Sequence, residues 1–96
     1  MPAMSDAEVR SALETVPGWS REGGEIVRSL RFRDFVEAFG FIAQVGLLQE
    51  QLDHHARITN TWADVSLALS THSEGGITAK DFELARRINE RASGAR

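Results

Sequence analysis

The sequence predicts an α+β fold in which three helices pack on one face of a four-stranded antiparallel sheet. Two segments, one long and one near the end of the chain, have apolar residues at helical spacing. Two pairs of short extended segments lie between the helices, and each pair is interrupted by a turn signal. The resulting order α-β-β-α-β-β-α contains hairpins and no βαβ alternation, which favours an antiparallel sheet.

The first helix and the first hairpin are predicted from turn and capping residues. Ser5 followed three residues later by Glu8 is a capping box, and Pro17-Gly18 is expected to end the helix. Residues 19–30 are predicted as two short strands around a turn at residues 22–24. Apolar residues of one parity in and just after the second strand predict one buried face: Ile26, Leu30 and Phe32.

The long helix is predicted to begin after the N-cap residue Asp34 and to end near Leu52. Its apolar residues occupy more than one stripe, so we expect it to pack on two sides. The side expected against the sheet comprises Phe35, Phe39, Ile42 and Val45. The side expected against a second subunit comprises Phe41, Leu47 and Leu48. A 96-residue chain cannot easily bury both sides alone, so a homodimer or homotetramer is predicted, with Phe41 and Leu47 as contacts.

The remaining elements are a strand region at residues 59–71 and a final helix. Val65, Leu67 and Leu69 alternate with polar or small residues, and a tight turn at residues 62–64 would divide the region into two strands. Residues 74–76 are predicted as a loop. Thr78 and Asp81 then form the N-terminal cap of the last helix.

Composition limits the classes of function. The chain has 96 residues, a net charge of −3 and no cysteine. These values predict one domain over residues 1–96, frayed at 1–4 and 93–96, and they argue against direct nucleic-acid binding, disulfides and thiolate chemistry. No apolar stretch approaches the ~20 residues that cross a bilayer, and no secretory leader is recognisable. A cytoplasmic protein without membrane attachment is the expectation.

The three histidines are the candidates for chemistry. His54 and His55 follow the long helix beside Asp53, with Glu50 four residues before His54, and His72 follows the last strand. If these segments meet at one rim, the imidazoles and carboxylates would form a general acid–base site. Two other interpretations remain open, namely capping of the helix C-terminus and a metal site. Adjacent histidines on a helix point about 100° apart, which disfavours a single ion.

The spacing of these residues resembles the signature of the pterin-4a-carbinolamine dehydratase family. The signature comprises an acidic residue, three residues, His-His, an aromatic residue seven positions later, a histidine ten beyond it and an aspartate nine further on. The matching residues are Glu50, His54, His55, Trp62, His72 and Asp81. Residues 32–35, residues 38–41 and Trp19 are also similar to the family pattern, and the resemblance covers about residues 17–92.

The resemblance implies a dehydratase acting on 4a-hydroxytetrahydrobiopterin or a related pterin, without a metal or organic cofactor. His54 and His72 would then be the acid–base pair, and His55 would orient the pterin. Glu50 and Asp53 would tune the imidazoles, while Asp81 would support the site. Residues implied to line the pocket are Trp19, Ser70 and Thr71.

Three positions depart from the family pattern. Ala56 and Ile58 stand where the family usually has proline and tryptophan, and Lys80 stands where arginine is frequent. We interpret these as changes in affinity or substrate range, because the titrating groups are retained. Some proteins of this family act instead as dimerisation partners of a transcription factor or as assembly factors. A non-catalytic binding module is therefore the alternative function.

Overall fold

The computed structural model describes residues 2–92 and confirms the α+β class and the element order. Three α-helices and four strands follow one another along the chain. In order they are α1 (Asp6–Leu13), β1 (Ser20–Glu22), β2 (Glu25–Arg31), α2 (Phe35–Leu52), β3 (Arg57–Thr61), β4 (Asp64–Leu69) and α3 (Ala79–Arg91). A short 3₁₀ helix, His72–Glu74, lies between β4 and α3.

The four strands form one antiparallel sheet in the order β1-β2-β4-β3. Leu30 of β2 pairs with Val65 of β4, and Ile26 pairs with Leu69, so their side chains share one face. All four are nearly or fully buried, whereas Ser29 on the opposite face is exposed. The helices therefore cover one face of the sheet, as the sequence predicts.

The predicted caps are present, but the first helix is shorter than expected. Ser5 and Glu8 form both hydrogen bonds of a capping box at α1. The helix ends at Leu13, before Pro17, and Val16 is fully buried in the turn that follows. Val16 is therefore buried as part of the connecting turn and does not belong to the helix.

The buried face of α2 differs from the one that the sequence analysis assigned. Phe41 is only 3% exposed and packs against Phe32, with ring centroids 4.9 Å apart. Phe35 and Phe39 are 45% and 57% exposed, so their assignment to the sheet was wrong. The buried residues of the helix are Ala38, Phe41, Val45, Leu48 and Gln49. Phe41 and Leu48 are therefore core residues, and their assignment to the side facing a second subunit was wrong.

The hairpin between β3 and β4 confirms that residues 59–71 contain two strands. Trp62 occupies the turn with φ of 50°, which is the left-handed region that bulky residues rarely adopt. Trp62 is 57% exposed, and the guanidinium of Arg31 lies 5.8 Å from the centroid of its ring.

The ends of the chain are only partly described. The backbone N–H of Met4 donates to the carbonyl of Ile77 at 2.8 Å, which ties this residue to the segment before α3. The expected fraying of residue 1 and of residues 93–96 concerns positions outside the described residues. Within residues 2–92, no helix has the length and apolar character needed to cross a membrane.

Candidate active site

The backbone turn after α2 fixes the position of the two adjacent histidines. Asp53 takes the left-handed conformation with φ of 49° and ψ of 48°, which a short polar residue tolerates. Its N–H donates to the carbonyl of Glu50 at 3.4 Å, and the N–H of His54 donates to the carbonyl of Gln49 at 3.1 Å. These two bonds form a Schellman motif, which ends the helix and turns His54 inward.

The His54 ring is held by a buried carboxylate from another helix. Its Nε2 lies 2.5 Å from Oδ1 of Asp81. His54 is 8% exposed, and Asp81, in the first turn of α3, is fully buried. Burying a charged carboxylate is costly unless hydrogen bonds compensate, so this pair is maintained by the specific contacts around it.

The second oxygen of Asp81 connects the site to the end of β4. Oδ2 accepts hydrogen bonds from the Thr71 hydroxyl at 2.9 Å and from the Thr78 N–H at 2.8 Å. The two threonine hydroxyls are themselves 2.8 Å apart. Asp81 therefore completes the capping box of α3 with Thr78 and also joins three parts of the chain: the end of α2, the segment after β4 and the start of α3.

His55 and Glu50 form a second imidazole–carboxylate pair on the surface. Nε2 of His55 lies 2.9 Å from Oε2 of Glu50, and the two side chains are 57% and 77% exposed. Asp53 lies between these two residues in the chain, and its carbonyl accepts a hydrogen bond from Nζ of Lys80 at 3.3 Å. The end of α2 is thus followed by one buried histidine, His54, and one solvated histidine, His55.

His72 and Ser70 flank Thr71, whose side chain is bound to Asp81. His72 begins the 3₁₀ helix and is exposed, whereas Ser70 is half-buried. Consecutive Cα atoms are about 3.8 Å apart, so both residues lie next to the Thr71–Asp81 contact. The chain therefore brings His72 to the same end of the fold as His54 and His55.

Trp19 is not brought to this cluster. It is 6% exposed, and its indole N–H donates to Oδ1 of Asn89 at 2.8 Å. Asn89 lies eight residues after Asp81 on α3, which corresponds to about 12 Å along the helix axis. The structure thus gives Trp19 a position in the core, away from the histidines.

Gln49 is a residue of the site that the sequence analysis missed. Its Oε1 accepts a hydrogen bond from the N–H of Ala56 at 2.6 Å, in addition to the bond from His54 to its carbonyl. Its position in the sequence could have indicated this, because Gln49 is a polar residue at helical spacing from Phe41 and Val45 on the buried face of α2. Correct assignment of that face would have identified it.

Metal binding was one interpretation of the histidines. Among residues 2–92, no group of three or more histidine, cysteine, aspartate or glutamate side chains is arranged to hold a metal ion. Among residues 2–92, the histidine–carboxylate contacts are two separate pairs, His54 with Asp81 and His55 with Glu50. Imidazoles paired with carboxylates in this way are able to accept and donate protons.

Comparison with known proteins identifies the family. A family model described as pterin 4 alpha carbinolamine dehydratase matches residues 2–91. A Rhodopseudomonas palustris (strain BisB18) protein, provisionally named pterin-4-alpha-carbinolamine dehydratase, is 47% identical over 88 residues, covering 90% of this chain and 87% of that protein. A Thermomicrobium roseum protein with the same provisional name is 43% identical over 93 residues, covering 97% of this chain and 100% of that protein.

Solved structures show the same fold. The crystal structure of a transcriptional coactivator/pterin dehydratase from Brucella melitensis has a TM-score of 0.92 at 40% identity, covering 95% of this chain and 99% of that chain. A pterin dehydratase-like protein identified as a RuBisCO assembly factor in the alpha-carboxysome has a TM-score of 0.65 at 16% identity, covering 79% and 88%. The second likeness shows the fold alone. By its sequence and its fold, the chain belongs to the pterin-4-alpha-carbinolamine dehydratase family.

Proposed function

We propose that the protein dehydrates 4a-hydroxytetrahydrobiopterin, or a closely related pterin-4a-carbinolamine, to the quinonoid dihydropterin and water. The main observation in support is the buried His54–Asp81 pair, 2.5 Å apart, next to the solvated His55–Glu50 pair at 2.9 Å. Two neighbouring imidazoles, each bonded to a carboxylate but differing in burial, are suited to separate roles in proton transfer.

The reaction requires two proton transfers. A carbinolamine has a hydroxyl group and a nitrogen on the same carbon atom. When the C–O bond breaks, the hydroxyl receives a proton and leaves as water. The ring nitrogen loses its proton, and its electron pair forms the C=N bond of the product. One acid and one base are sufficient for this elimination, and both can be imidazoles near neutral pH.

We assign these roles as follows. His54 and His72 are the acid–base pair, since one is fixed by Asp81 and the other lies next to Thr71. His55 binds and orients the pterin, and its partner Glu50 holds the ring. Asp53 and Ser70 belong to the pocket wall and Asp81 supports His54. Thr71 contacts the substrate through its backbone, because its hydroxyl is bonded to Asp81.

A binding role is the second candidate. The exposed apolar residues of α2 favour it, because large side chains such as Phe39 and Leu47, 57% and 68% exposed, are typical of interaction surfaces. The name of the Brucella melitensis relative also includes a coactivator function. The two functions are compatible, since the apolar residues of α2 and the paired histidines are different residues.

The proposed activity is tested with purified protein and a carbinolamine generated in situ by a pterin-dependent hydroxylase. We expect the protein to accelerate the decay of the 4a-hydroxy species and the appearance of quinonoid dihydropterin. A surface variant, Arg10→Ala, is the control and should retain the acceleration. Decay at the uncatalysed rate with well-folded protein would refute the proposal and leave the binding role.

A further inference from the structure

The two oxygens of the Asp81 carboxylate have different hydrogen-bond partners. This difference bears on which ring nitrogen of His54 has the proton. Oδ2 accepts two hydrogen bonds, from the Thr78 N–H and the Thr71 hydroxyl, whereas Oδ1 faces Nε2 of His54. The backbone N–H of Thr78 can only donate. Oδ2 must therefore remain an acceptor, and the carboxylate cannot exchange the roles of its two oxygens.

The hydroxyl groups form a chain with a single direction. The N–H of Lys80 donates to the Thr78 hydroxyl at 3.2 Å. The Thr78 hydroxyl can then donate to that of Thr71, which is 2.8 Å away, and Thr71 donates to Asp81. An ionised carboxylate is an acceptor only, so the remaining contact, between Oδ1 and His54, requires a proton on Nε2.

The other ring nitrogen of His54 is the one left for chemistry. No side chain or backbone group of residues 2–92 hydrogen-bonds to Nδ1, and within this part of the chain no fully buried side-chain nitrogen or oxygen lacks a partner. Nδ1 therefore retains access to solvent although the residue as a whole is 8% exposed. Of the two ring nitrogens of His54, Nδ1 is thus the one that makes no hydrogen bond within residues 2–92.

We propose that Asp81, oriented by Thr71 and by the Thr78 amide, is a positioning residue that keeps the proton of neutral His54 on Nε2 and presents Nδ1 to the substrate. Thr71 and Thr78 act through Asp81 and not by contact with the pterin through their hydroxyls. The catalytic consequence rests on the proposed function, whereas the tautomer itself is a property of the protein alone.

The arrangement predicts that Asp81→Asn inverts the tautomer of His54. The amide of the variant must keep its oxygen at the Oδ2 position, because the Thr78 N–H still donates there. Its NH₂ group then faces Nε2 of His54, which must become the acceptor. The proton of the imidazole moves to Nδ1, and the atom presented to the substrate no longer has a lone pair.

The experiment is ¹⁵N NMR of the histidine ring nitrogens in the full-length protein, at a pH where His54 is neutral. Signals of His54 are assigned by their loss in His54→Gln. We expect Nε2 of the wild type to have the resonance of an N–H nitrogen, and Asp81→Asn to exchange the two resonances. Asp64→Asn, the same change at an exposed aspartate of β4, should leave them unchanged.

Two results would overturn the proposal: a proton on Nδ1 in the wild type, or an unchanged tautomer in a folded Asp81→Asn protein. If the variant does not fold, the tautomer measured in the wild type decides the question alone. Kinetics supply the second readout, since a wrong tautomer should lower kcat by at least ~10²-fold with little change in KM. An inactive wild type with the predicted tautomer would refute the proposed function and leave this inference standing.

Discussion

The side chain of Gln49 accepts a hydrogen bond from the backbone N–H of Ala56 at 2.6 Å, while the Gln49 carbonyl accepts one from the N–H of His54. A single residue of α2 thus holds both ends of the segment that contains the two adjacent histidines. Ala56, unlike a proline, has a backbone N–H, and this donor needs an acceptor. Gln49 provides the acceptor.

We predict that Gln49→Leu lowers the free energy of unfolding by about 1–2 kcal/mol, because the Ala56 N–H loses its partner. Urea unfolding measures this change, and amide hydrogen exchange should show loss of protection at Ala56. Gln44→Leu, the same substitution at an exposed position of α2, is the control and should change stability by less than ~0.5 kcal/mol. Equal effects of the two substitutions would show that the hydrogen bond contributes nothing.

The exposed stripe of α2 predicts self-association. Phe35, Phe39 and Leu47 share one side of the helix, and the first two rings are in contact, with centroids 5.4 Å apart and planes tilted by 34°. Burying such side chains on a partner contributes ~1.5–3 kcal/mol each. We expect light scattering to give a multiple of 10.6 kDa, and Leu47→Glu to shift the protein towards monomer, while Ala7→Glu, at an exposed position of α1, does not. A wild-type mass of one chain at high concentration would exclude a homo-oligomer.

The capping box of α1 predicts an acid-dependent contribution to stability. Hydrogen bonds from the backbone and the side chain of Ser5 lower the pKa of Glu8 below its usual value of 4.5. A carboxyl whose pKa is lower in the folded state stabilises the protein above its unfolded pKa, and this stabilisation is lost as the pH falls through the folded value.

The stability difference between wild type and Glu8→Gln should therefore be larger at neutral pH than in acid. Glutamine can still accept the hydrogen bond, so the comparison isolates the charge. Urea unfolding between neutral pH and about pH 3 measures it. In a Ser5→Ala background, which lacks the side-chain partner, we expect a smaller effect of pH. A difference that grows as the pH falls would contradict the assignment.

Residues close together in the sequence were sufficient to predict the order of the elements and the helix caps. A cap depends on residues three positions apart, such as Thr78 and Asp81. It was insufficient for the packing of α2. That helix has apolar residues on most sides, and the sheet and α3 select the Phe41 side over the Phe39 side. Periodicity alone contains no information about that selection.

The site was only partly predictable for a similar reason. The contact between His54 and Asp81 joins residues 27 positions apart, so only the spacing shared with the family indicated that both belong to one site. The role of Thr78 as more than a cap, and of Gln49 as an acceptor, depends on how the ends of α2, β4 and α3 meet. No pattern within one element contains that relationship.

If the histidines are proton carriers, removal of metal should have no effect. We expect treatment with a chelator to leave both the dehydratase activity and the Tm unchanged. Metal analysis of the purified protein before and after treatment completes the experiment. Stoichiometric zinc that is lost together with activity would instead support a metal site, since imidazoles are also good zinc ligands.

The turnover of single histidine variants tests the central claim, that imidazoles transfer the protons of the dehydration. The measurement is kcat for His54→Ala and His72→Ala, with circular dichroism to verify the fold, and His55→Ala as a comparison expected to raise KM more than it lowers kcat. We predict that each of the first two variants lowers kcat by ~10²-fold, the usual contribution of a positioned acid or base. Near-native turnover in both would contradict the acid–base assignment.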